Sequence, residues 1–278
     1  MSRIYEALRR SEERPNDAAP GPSGWAATLA IASPDRPPEA APEPIFSAAL
    51  PRPAEASRLV CWTQWESPQA EAFRQLAARL LHLRERCRQE RHLQSLVCAS
   101  SAPQEGKSLV AANLALALAR TCGRRVLLLE GDLRRPVQAR LWGIEDATGL
   151  AEWIAAPGPI APPPVLRLGD TSAYLLPAGA VNHATQPLAF LESSRAAQLL
   201  LLLNGWFEWV LIDAPPLLPV ADGYAWARLA DGLLLVTRAG VSRKAQVREA
   251  LRHLESRNLV GVVVNQSTEP VPTYPPRA

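Results

Sequence analysis

One short segment of the chain combines residues that bind phosphate groups in many proteins. The stretch "SSAPQEGKSLVAANLALALAR" (100–120) carries Gly106, Lys107 and Ser108 in succession, and a helical pattern follows them. It comes directly after the apolar run "SLVCAS" (95–100), and a loop between a strand and a helix is the setting that a phosphate-binding loop requires. In such a loop, backbone N–H groups and the helix dipole hold the phosphates. The lysine then contacts the outer phosphates, and the serine binds magnesium.

The lysine of this segment is informative because the basic residues of the chain are almost all arginines. Among 30 basic residues, only Lys107 and Lys244 are lysines. A phosphate loop uses a compact ammonium group on a flexible stem, and a guanidinium group does not replace it. A solvated turn is the alternative interpretation of "EGKS" taken alone, but the flanking strand and helix patterns favour a nucleotide site.

A pair of carboxylates stands where a second apolar run ends. In "LLLEGDLRRP" (127–136), Glu130 and Asp132 are two residues apart, and Arg134 follows them. Side chains at positions i and i+2 of a strand point to the same side, so we expect the two carboxylates to converge on one site. A charged strand-to-helix turn is the alternative, and it explains one acid more readily than two.

A single acid, Asp213, ends the apolar run in "WVLIDAPP" (209–216), before two prolines. In phosphate-loop proteins a magnesium-binding acid follows such a strand. Ligands of open α/β sheets bind at the carboxyl ends of the strands. Because the loop, the acid pair and Asp213 all follow apolar runs, we predict that they share one crevice.

These residues require a sheet that brings several strand ends together. Apolar runs alternate with helical stretches and lie at 95–100, 125–132, 172–179, 208–216, 232–240 and 259–266. Runs that are apolar on both faces are typical of parallel strands covered by helices on each side. We therefore predict an α/β fold with a mostly parallel β-sheet flanked by helices. Helices are expected at 107–120 and 188–203, and Ser67 is expected to cap a helix that begins at Pro68.

The composition divides the chain into four parts. Residues 1–14 have the pattern of a short amphipathic helix, which is either a frayed terminus or a docking peptide on a tether. Residues 15–60 are rich in proline and alanine and are predicted to be a disordered linker. The folded domain is predicted over 61–268, and a flexible tail over 269–278.

Charge and composition exclude several classes of function. A net charge of +3 over 278 residues gives no reason to expect nucleic-acid binding, which uses strongly basic domains. The four cysteines include no Cys-x-x-Cys pair and the four histidines form no ligand cluster, so no structural zinc site is predicted. There is no signal-peptide pattern, and no apolar run approaches the ~20 residues of a membrane span. We expect a cytoplasmic protein.

Taken together, the quoted motifs resemble those of the bacterial tyrosine kinase family of capsule and exopolysaccharide synthesis, the CpsD/CapB-like kinases. The resemblance extends from about Ser67 to Gln266. "SSAPQEGKS" is similar to the Walker A motif of the family, "LLLEGDLRRP" to its second Walker-type motif and "VLIDAPP" to its Walker B motif. "SPQAEAFRQL", "YLLPAG" and "GVVVNQ" also resemble family segments. The resemblance implies a P-loop NTPase architecture of the MinD/ParA kind, with ATP and Mg²⁺ as cofactors.

The resemblance also implies roles for individual residues. Nucleotide contacts are expected from Gln104, Glu105, Gly106, Lys107, Ser108, Leu109 and Asn265. Magnesium ligands are expected to be Ser108, Asp132 and Asp213. Catalysis is expected to depend on Lys107, Glu130, Asp132 and Asp213, with Glu130 at the position of the acid proposed to accept the tyrosine proton. The implied partner is a membrane co-polymerase that controls polymer chain length and recruits the protein to the inner face of the membrane. The resemblance is also compatible with a homo-oligomer.

The sequence departs from the family pattern at several positions. Gln104 replaces a usual glycine, and Glu130 replaces a usual aspartate, so we expect a weakened phosphotransfer. The tail has a single candidate phosphoacceptor, Tyr274, where the family has a tyrosine cluster. The self-association element Glu-x-x-Arg-x-x-Arg is represented by Glu71, Arg74 and Ala77.

Two other functions stay open on the sequence. One is an ATP-binding scaffold without kinase output, which the departures at Gln104 and Glu130 favour. The other is an ATPase switch of the ParA/MinD type that binds partners according to its nucleotide state. Those switches carry a lysine five residues before the main lysine of the loop. Ala102 occupies that position here and argues against the switch.

Overall fold

The computed structural model of the chain describes residues 46–47, 58–89, 92–144, 147–156, 162–181, 186–254 and 258–268. The chain divides into two units, residues 1–41 and 42–278, and all described residues belong to the second unit. The predicted N-terminal helix, most of the predicted linker, and the tail with Tyr274 lie outside the described residues.

A single sheet runs through the described part of the chain. Its strands are β1 (Phe46–Ser47), β2 (Ser95–Ser100), β3 (Val126–Glu130), β4 (Val165–Arg167), β5 (Ala173–Leu176), β6 (Trp209–Asp213), β7 (Gly232–Arg238) and β8 (Leu259–Asn265). Their order in the sheet is β1-β4-β5-β3-β6-β2-β7-β8. Every neighbouring pair is parallel except β4 and β5. Strands β2, β3 and β6 are buried at every residue, which explains why their sequences are apolar except at the strand ends and do not alternate.

Helices cover both faces of this sheet. They are α1 (Val60–Thr63), α2 (Pro68–Cys87), α3 (Lys107–Cys122), α4 (Gln138–Trp142), α5 (Leu150–Ala155), α6 (Pro187–Leu191), α7 (Ser194–Trp206), α8 (Asp222–Leu229) and α9 (Lys244–Arg252). In one apolar cluster, the helices from α5 through α9 pack against one face of the sheet. In the other, the helices from α1 through α4 pack against the opposite face. The predicted α/β fold with a mostly parallel, helix-covered sheet is confirmed.

Three features differ from the sequence prediction. The helix expected at 188–203 is two helices, α6 and α7, because the backbone of Ser193 is extended and starts the second one. Strand β4 was not predicted, since three residues carry too little periodicity to be recognised. The stretch 15–60, predicted as a linker, contains the two-residue strand β1 and the fully buried Leu59. Composition alone does not show such short contacts with the domain.

Helix α2 begins at the predicted residue, and its charged side chains contact other residues of the chain. The Ser67 hydroxyl accepts a hydrogen bond from the Ala70 N–H at 3.1 Å, and Pro68 is the first helical residue. The Arg74 guanidinium donates to the Glu71 carboxylate and lies 5.0 Å from the centre of the Trp65 ring. Ala77 is completely buried. The described residues of the self-association element are therefore already engaged by contacts within the chain.

Candidate nucleotide-binding site

The loop between β2 and α3 has the backbone conformation that a phosphate-binding loop needs. Gln104 and Gly106 have φ angles of 65° and 89°, in the left-handed region. A Cβ atom at Gly106 would lie 2.0 Å from Asn265 Nδ2, so a side chain there would have to displace Asn265 as well as adopt a strained backbone. Gln104 adopts the left-handed conformation despite its side chain, at a cost of about 1 kcal/mol. The glutamine thus introduces local strain into the loop.

The Glu105 side chain hydrogen-bonds to other residues of the loop and stabilises it. Its buried carboxylate accepts hydrogen bonds from the Ser101 hydroxyl at 3.0 Å and the Ala102 N–H at 2.8 Å. It also accepts one from the Ser242 hydroxyl, in the segment after β7. The Glu105 carbonyl accepts a hydrogen bond from Asn265 Nδ2 at 3.0 Å. Two distant segments therefore fix the loop, and the role of Ser242 was not foreseen from the sequence.

Lys107 lies between two carboxylates at the start of α3. Its Nζ atom is 2.9 Å from Asp132 Oδ2 and 3.5 Å from Asp213 Oδ1. The Ser108 hydroxyl donates to Asp213 Oδ1 at 3.0 Å. The structure thus brings together four residues from three separate motifs, at the carboxyl ends of β2, β3 and β6.

Burial and opposite charge act against each other at Lys107. Lys107, Asp132 and Asp213 are 9%, 4% and 0% exposed. Desolvation of the ammonium lowers the pKa of Lys107, but the Asp213 and Asp132 carboxylates outweigh it, so the pKa is raised. Lys107 is therefore a buried cation that neutralises part of the charge of two buried acids.

Gln138 orients one of these acids and was not identified from the sequence. It is the first residue of α4 and is completely buried. Its Nε2 atom donates to Asp213 Oδ2 at 2.8 Å and to the Ser108 carbonyl at 3.0 Å. Its Oε1 atom has no hydrogen-bond partner in the described part of the chain. The helix "QARLW" contains both Gln138 and Arg140, so no signal in its sequence set Gln138 apart.

Glu130 does not converge with Asp132, contrary to the sequence prediction. Its fully buried carboxylate accepts hydrogen bonds from the N–H groups of Val137, Gln138 and Ala178. Burial raises the pKa of Glu130 to about 7, although the three backbone donors favour the charged form. The prediction failed because β3 ends at Glu130. The chain turns at Gly131, so the alternation of a strand no longer applies to Asp132.

The turn that follows β3 is also held from the side of α8. The Arg134 guanidinium makes two hydrogen bonds to the Asp222 carboxylate, at 2.6 and 3.1 Å. The Trp226 indole N–H donates to the Gly131 carbonyl at 3.1 Å. The backbone N–H of Arg135 donates to Asp132 Oδ1 at 3.1 Å, so the position of Asp132 depends on the whole turn.

The side chains of this site fit a magnesium ion with a nucleotide phosphate. Ser108, Asp132 and Asp213 offer the oxygen ligands that Mg²⁺ prefers, and Mg²⁺ is usually held by one or two carboxylates together with phosphates. Across the described ranges, no group of three or more His, Cys, Asp or Glu residues could form a metal cage by itself. None of the helices in those ranges is long and apolar enough to cross a membrane.

The sequence is similar to curated proteins, although no protein-family model matches it. It is 31% identical over 179 residues to the tyrosine-protein kinase YwqD of Bacillus subtilis (strain 168), a match that covers 63% of this chain and 73% of YwqD. It is 34% identical over 176 residues to the succinoglycan biosynthesis transport protein ExoP of Rhizobium meliloti (strain 1021). That match covers 62% of this chain but only 22% of ExoP.

Solved structures share the fold. The chimerical protein CapA2B2 superposes with a TM-score of 0.66 at 26% identity, over 80% of this chain and 95% of that chain. The cell division ATPase MinD of Pyrococcus furiosus superposes with a TM-score of 0.50 at 24% identity, over 64% of this chain and 76% of that chain. The likeness to MinD concerns the fold alone and confirms the predicted MinD-like architecture.

Proposed function

Because the chain belongs to the bacterial tyrosine kinase family of capsule and exopolysaccharide synthesis, we propose that it is an ATP-dependent protein-tyrosine kinase. It would transfer the γ-phosphoryl group of ATP to tyrosine hydroxyls of its own chain or of partner proteins. The observation that carries the proposal is the placement of Lys107 between Asp132 and Asp213, beside the Ser108 hydroxyl.

The loop would hold the phosphates of the nucleotide with its backbone. The N–H groups of 104–109 surround the start of α3, where the helix dipole favours negative charge. Lys107 would turn from its two carboxylates to the outer phosphates. Asn265, which contacts the loop carbonyl at Glu105, would fix the far side of the nucleotide site.

Three oxygen-bearing side chains would hold magnesium: Ser108, Asp132 and Asp213. When bound, the ion neutralises charge on the transferred phosphoryl group. Gln138 would keep the Asp213 carboxylate in place through its 2.8 Å hydrogen bond. An ion at this place would also take over the charge balance that Lys107 provides when it turns away.

Glu130 stays the predicted acceptor of the tyrosine proton on the family resemblance alone. A pKa of about 7 suits a group that exchanges protons near neutral pH. Its oxygens, however, are engaged by three backbone N–H groups. To accept a proton from a substrate, the Glu130 carboxylate would first have to lose hydrogen bonds to these backbone N–H groups.

The setting of the activity would be polysaccharide export. We propose that a membrane co-polymerase protein recruits the chain to the inner face of the membrane, and that phosphorylation controls assembly with this partner or between copies of the chain. Tyr274 is the proposed acceptor in the tail. ATP and Mg²⁺ are the proposed cofactors.

The test is phosphotyrosine mapping by mass spectrometry after incubation of the full chain with ATP and Mg²⁺. Ser108→Ala removes one magnesium ligand but leaves both ion pairs of Lys107, so we expect phosphorylation to fall by at least ~10-fold. Ser194→Ala, at an exposed serine at the start of α7, is the matched control and should behave as wild type. If no tyrosine is modified although ATP binds, the cytoplasmic segment of the co-polymerase is added. Absence of phosphotyrosine even then would overturn the kinase and favour the scaffold.

A further inference from the structure

The phosphate loop lines a large cleft that is rich in basic side chains. Its volume is about 490 Å³, within the range of sites that hold small ligands. The cationic side chains that line it are Arg58, Lys107, Arg134, Arg135 and Arg140, whereas the only lining carboxylate among the described residues is Asp132. The whole chain carries a net charge of only +3, so this cleft concentrates positive charge.

Part of this charge is balanced within the chain. Lys107 pairs with Asp132, and Arg134 pairs with the buried Asp222. Arg135 and Arg140 are exposed, and the described part of the chain gives neither guanidinium an acidic partner. Arg135 lies three residues after Asp132, Arg140 lies on α4, and both line the same cleft as the phosphate loop.

Prolines make part of the cleft wall apolar and rigid. Pro103, Pro215, Pro216 and Pro219 line it, and proline has a fixed φ angle. A tyrosine ring can pack against such a surface with its hydroxyl directed to the buried end of the cleft, where Lys107 and Asp132 lie. The arginine side would then face residues on either side of that tyrosine.

The tail of the chain does not match this charge. In "STEPVPTYPPRA" (267–278), no Asp or Glu lies within four positions of Tyr274, while Arg277 follows three residues later. If the proposed kinase activity is correct, on which this step rests, charge complementarity favours a different acceptor. We propose that the cleft prefers tyrosines flanked by aspartate or glutamate in other segments over Tyr274 in the tail, and that Arg135 and Arg140 recognise the acidic flanks.

The experiment uses three synthetic peptides with the full chain, ATP and Mg²⁺. One peptide has a tyrosine between glutamates, the second has glutamines in their place, and the third is the tail 267–278. Two partly exposed ion pairs predict a preference of roughly threefold to thirtyfold in kcat/KM for the glutamate peptide over the glutamine peptide. The preference should decline with added salt, because the charges are partly exposed.

Variants assign the preference to the two arginines. Arg135→Gln/Arg140→Gln should bring the two peptides within about twofold of each other through a higher KM for the glutamate peptide, since the charge contacts are gone. Arg79→Gln, at an exposed arginine on α2, removes one charge elsewhere and should keep the preference. A rise in the KM for ATP in the double variant, with the peptide preference unchanged, would instead assign the arginines to the nucleotide and overturn the proposal.

A binding arm separates this proposal from the kinase assignment. Fluorescence anisotropy of labelled peptides is measured with the full chain, Mg²⁺ and a non-hydrolysable ATP analogue. Tighter binding of the glutamate peptide, lost in the double variant, supports the acidic acceptor even if no peptide is phosphorylated. Equal binding of the glutamate and glutamine peptides, or tightest binding of the tail peptide, refutes it whether or not the protein is a kinase.

Discussion

We expect the replacement of Lys107 to lower the free energy of unfolding of the protein, in addition to changing the site. Its ammonium contacts two carboxylates that are 4% and 0% exposed, those of Asp132 and Asp213. Lys107→Ala leaves both acids without their cation in a buried place. Breaking a buried ion pair from one side costs about 3–5 kcal/mol. Since total stabilities are about 5–15 kcal/mol, we expect the variant to lose a large part of its free energy of unfolding.

The measurement is urea unfolding of the full chain in EDTA. Lys244→Ala, which removes the other lysine of the chain from an exposed position on α9, is the matched control and should change stability by less than about 0.5 kcal/mol. Asp132→Asn is added both to the wild type and to Lys107→Ala. It should cost less in the variant that already lacks the lysine than in the wild type, with a coupling energy of about 1–3 kcal/mol.

Magnesium supplies a second arm of the same test. An ion near Ser108, Asp132 and Asp213 replaces the missing positive charge, so millimolar Mg²⁺ should stabilise Lys107→Ala more than it stabilises the wild type. The reasoning is refuted if Lys107→Ala lies within about 1 kcal/mol of wild type in EDTA, where breaking a buried pair predicts a larger loss. It is equally refuted if the double-mutant cycle shows no coupling. A practical consequence is that Lys107→Ala is a poor inactive control, because a loss of phosphorylation could reflect unfolding.

Three further changes test other parts of the site. Gln104→Gly removes a left-handed non-glycine residue and should stabilise the protein by up to about 1 kcal/mol in calorimetry, while Gln104→Ala should not. Glu130→Asp cannot span its three backbone donors and should cost about 1–3 kcal/mol in urea unfolding, because at least one buried N–H loses its partner; unchanged stability would contradict the role given to Glu130. Asn113→Leu removes the acceptor of the Cys61 N–H and should expose the α1 segment to faster hydrogen exchange, whereas exchange at wild-type rates would show that other contacts hold α1.

The sheet and the phosphate loop could be predicted because their signals are local. Strands β2, β3 and β6 are buried on both faces, and this requires runs without alternation, which the sequence displays directly. The loop at 101–106 lies between such a run and a helix, and Lys107 is one of two lysines in an arginine-rich chain. Asp213 ends a buried strand, and parallel strands end at the same edge. For these residues, position along the chain determines position in space.

The surroundings of the site depended on contacts that are distant in sequence. Gln138 reaches Asp213 across 75 residues and Ser242 reaches Glu105 across 137 residues, so no local pattern announces either. Whether Glu130 and Asp132 point to the same side depended on where β3 ends. The strand ends at Glu130, so the alternation of a strand does not extend to Asp132. Strands β1 and β4 have two and three residues and owe their existence to pairing, not to their own periodicity.

The residues at the two departures from the family pattern, Gln104 and Glu130, both contribute to the support of the site. Gln104 has a left-handed backbone at the place of a glycine, so the loop carries local strain there. Glu130 has one methylene more than aspartate, and this length lets one carboxylate join the end of β3 to the N–H groups at the start of α4 and to Ala178 after β5. The same carboxylate thereby fixes Val137 and Gln138, and Gln138 in turn orients Asp213. The Glu130 carboxylate thus stabilises the turn that carries Asp132, and while it does so its oxygens are engaged by backbone N–H groups. The proposed proton transfer by Glu130 would therefore compete with the rigidity of the turn, and a substrate that loosens the turn would favour the proton transfer.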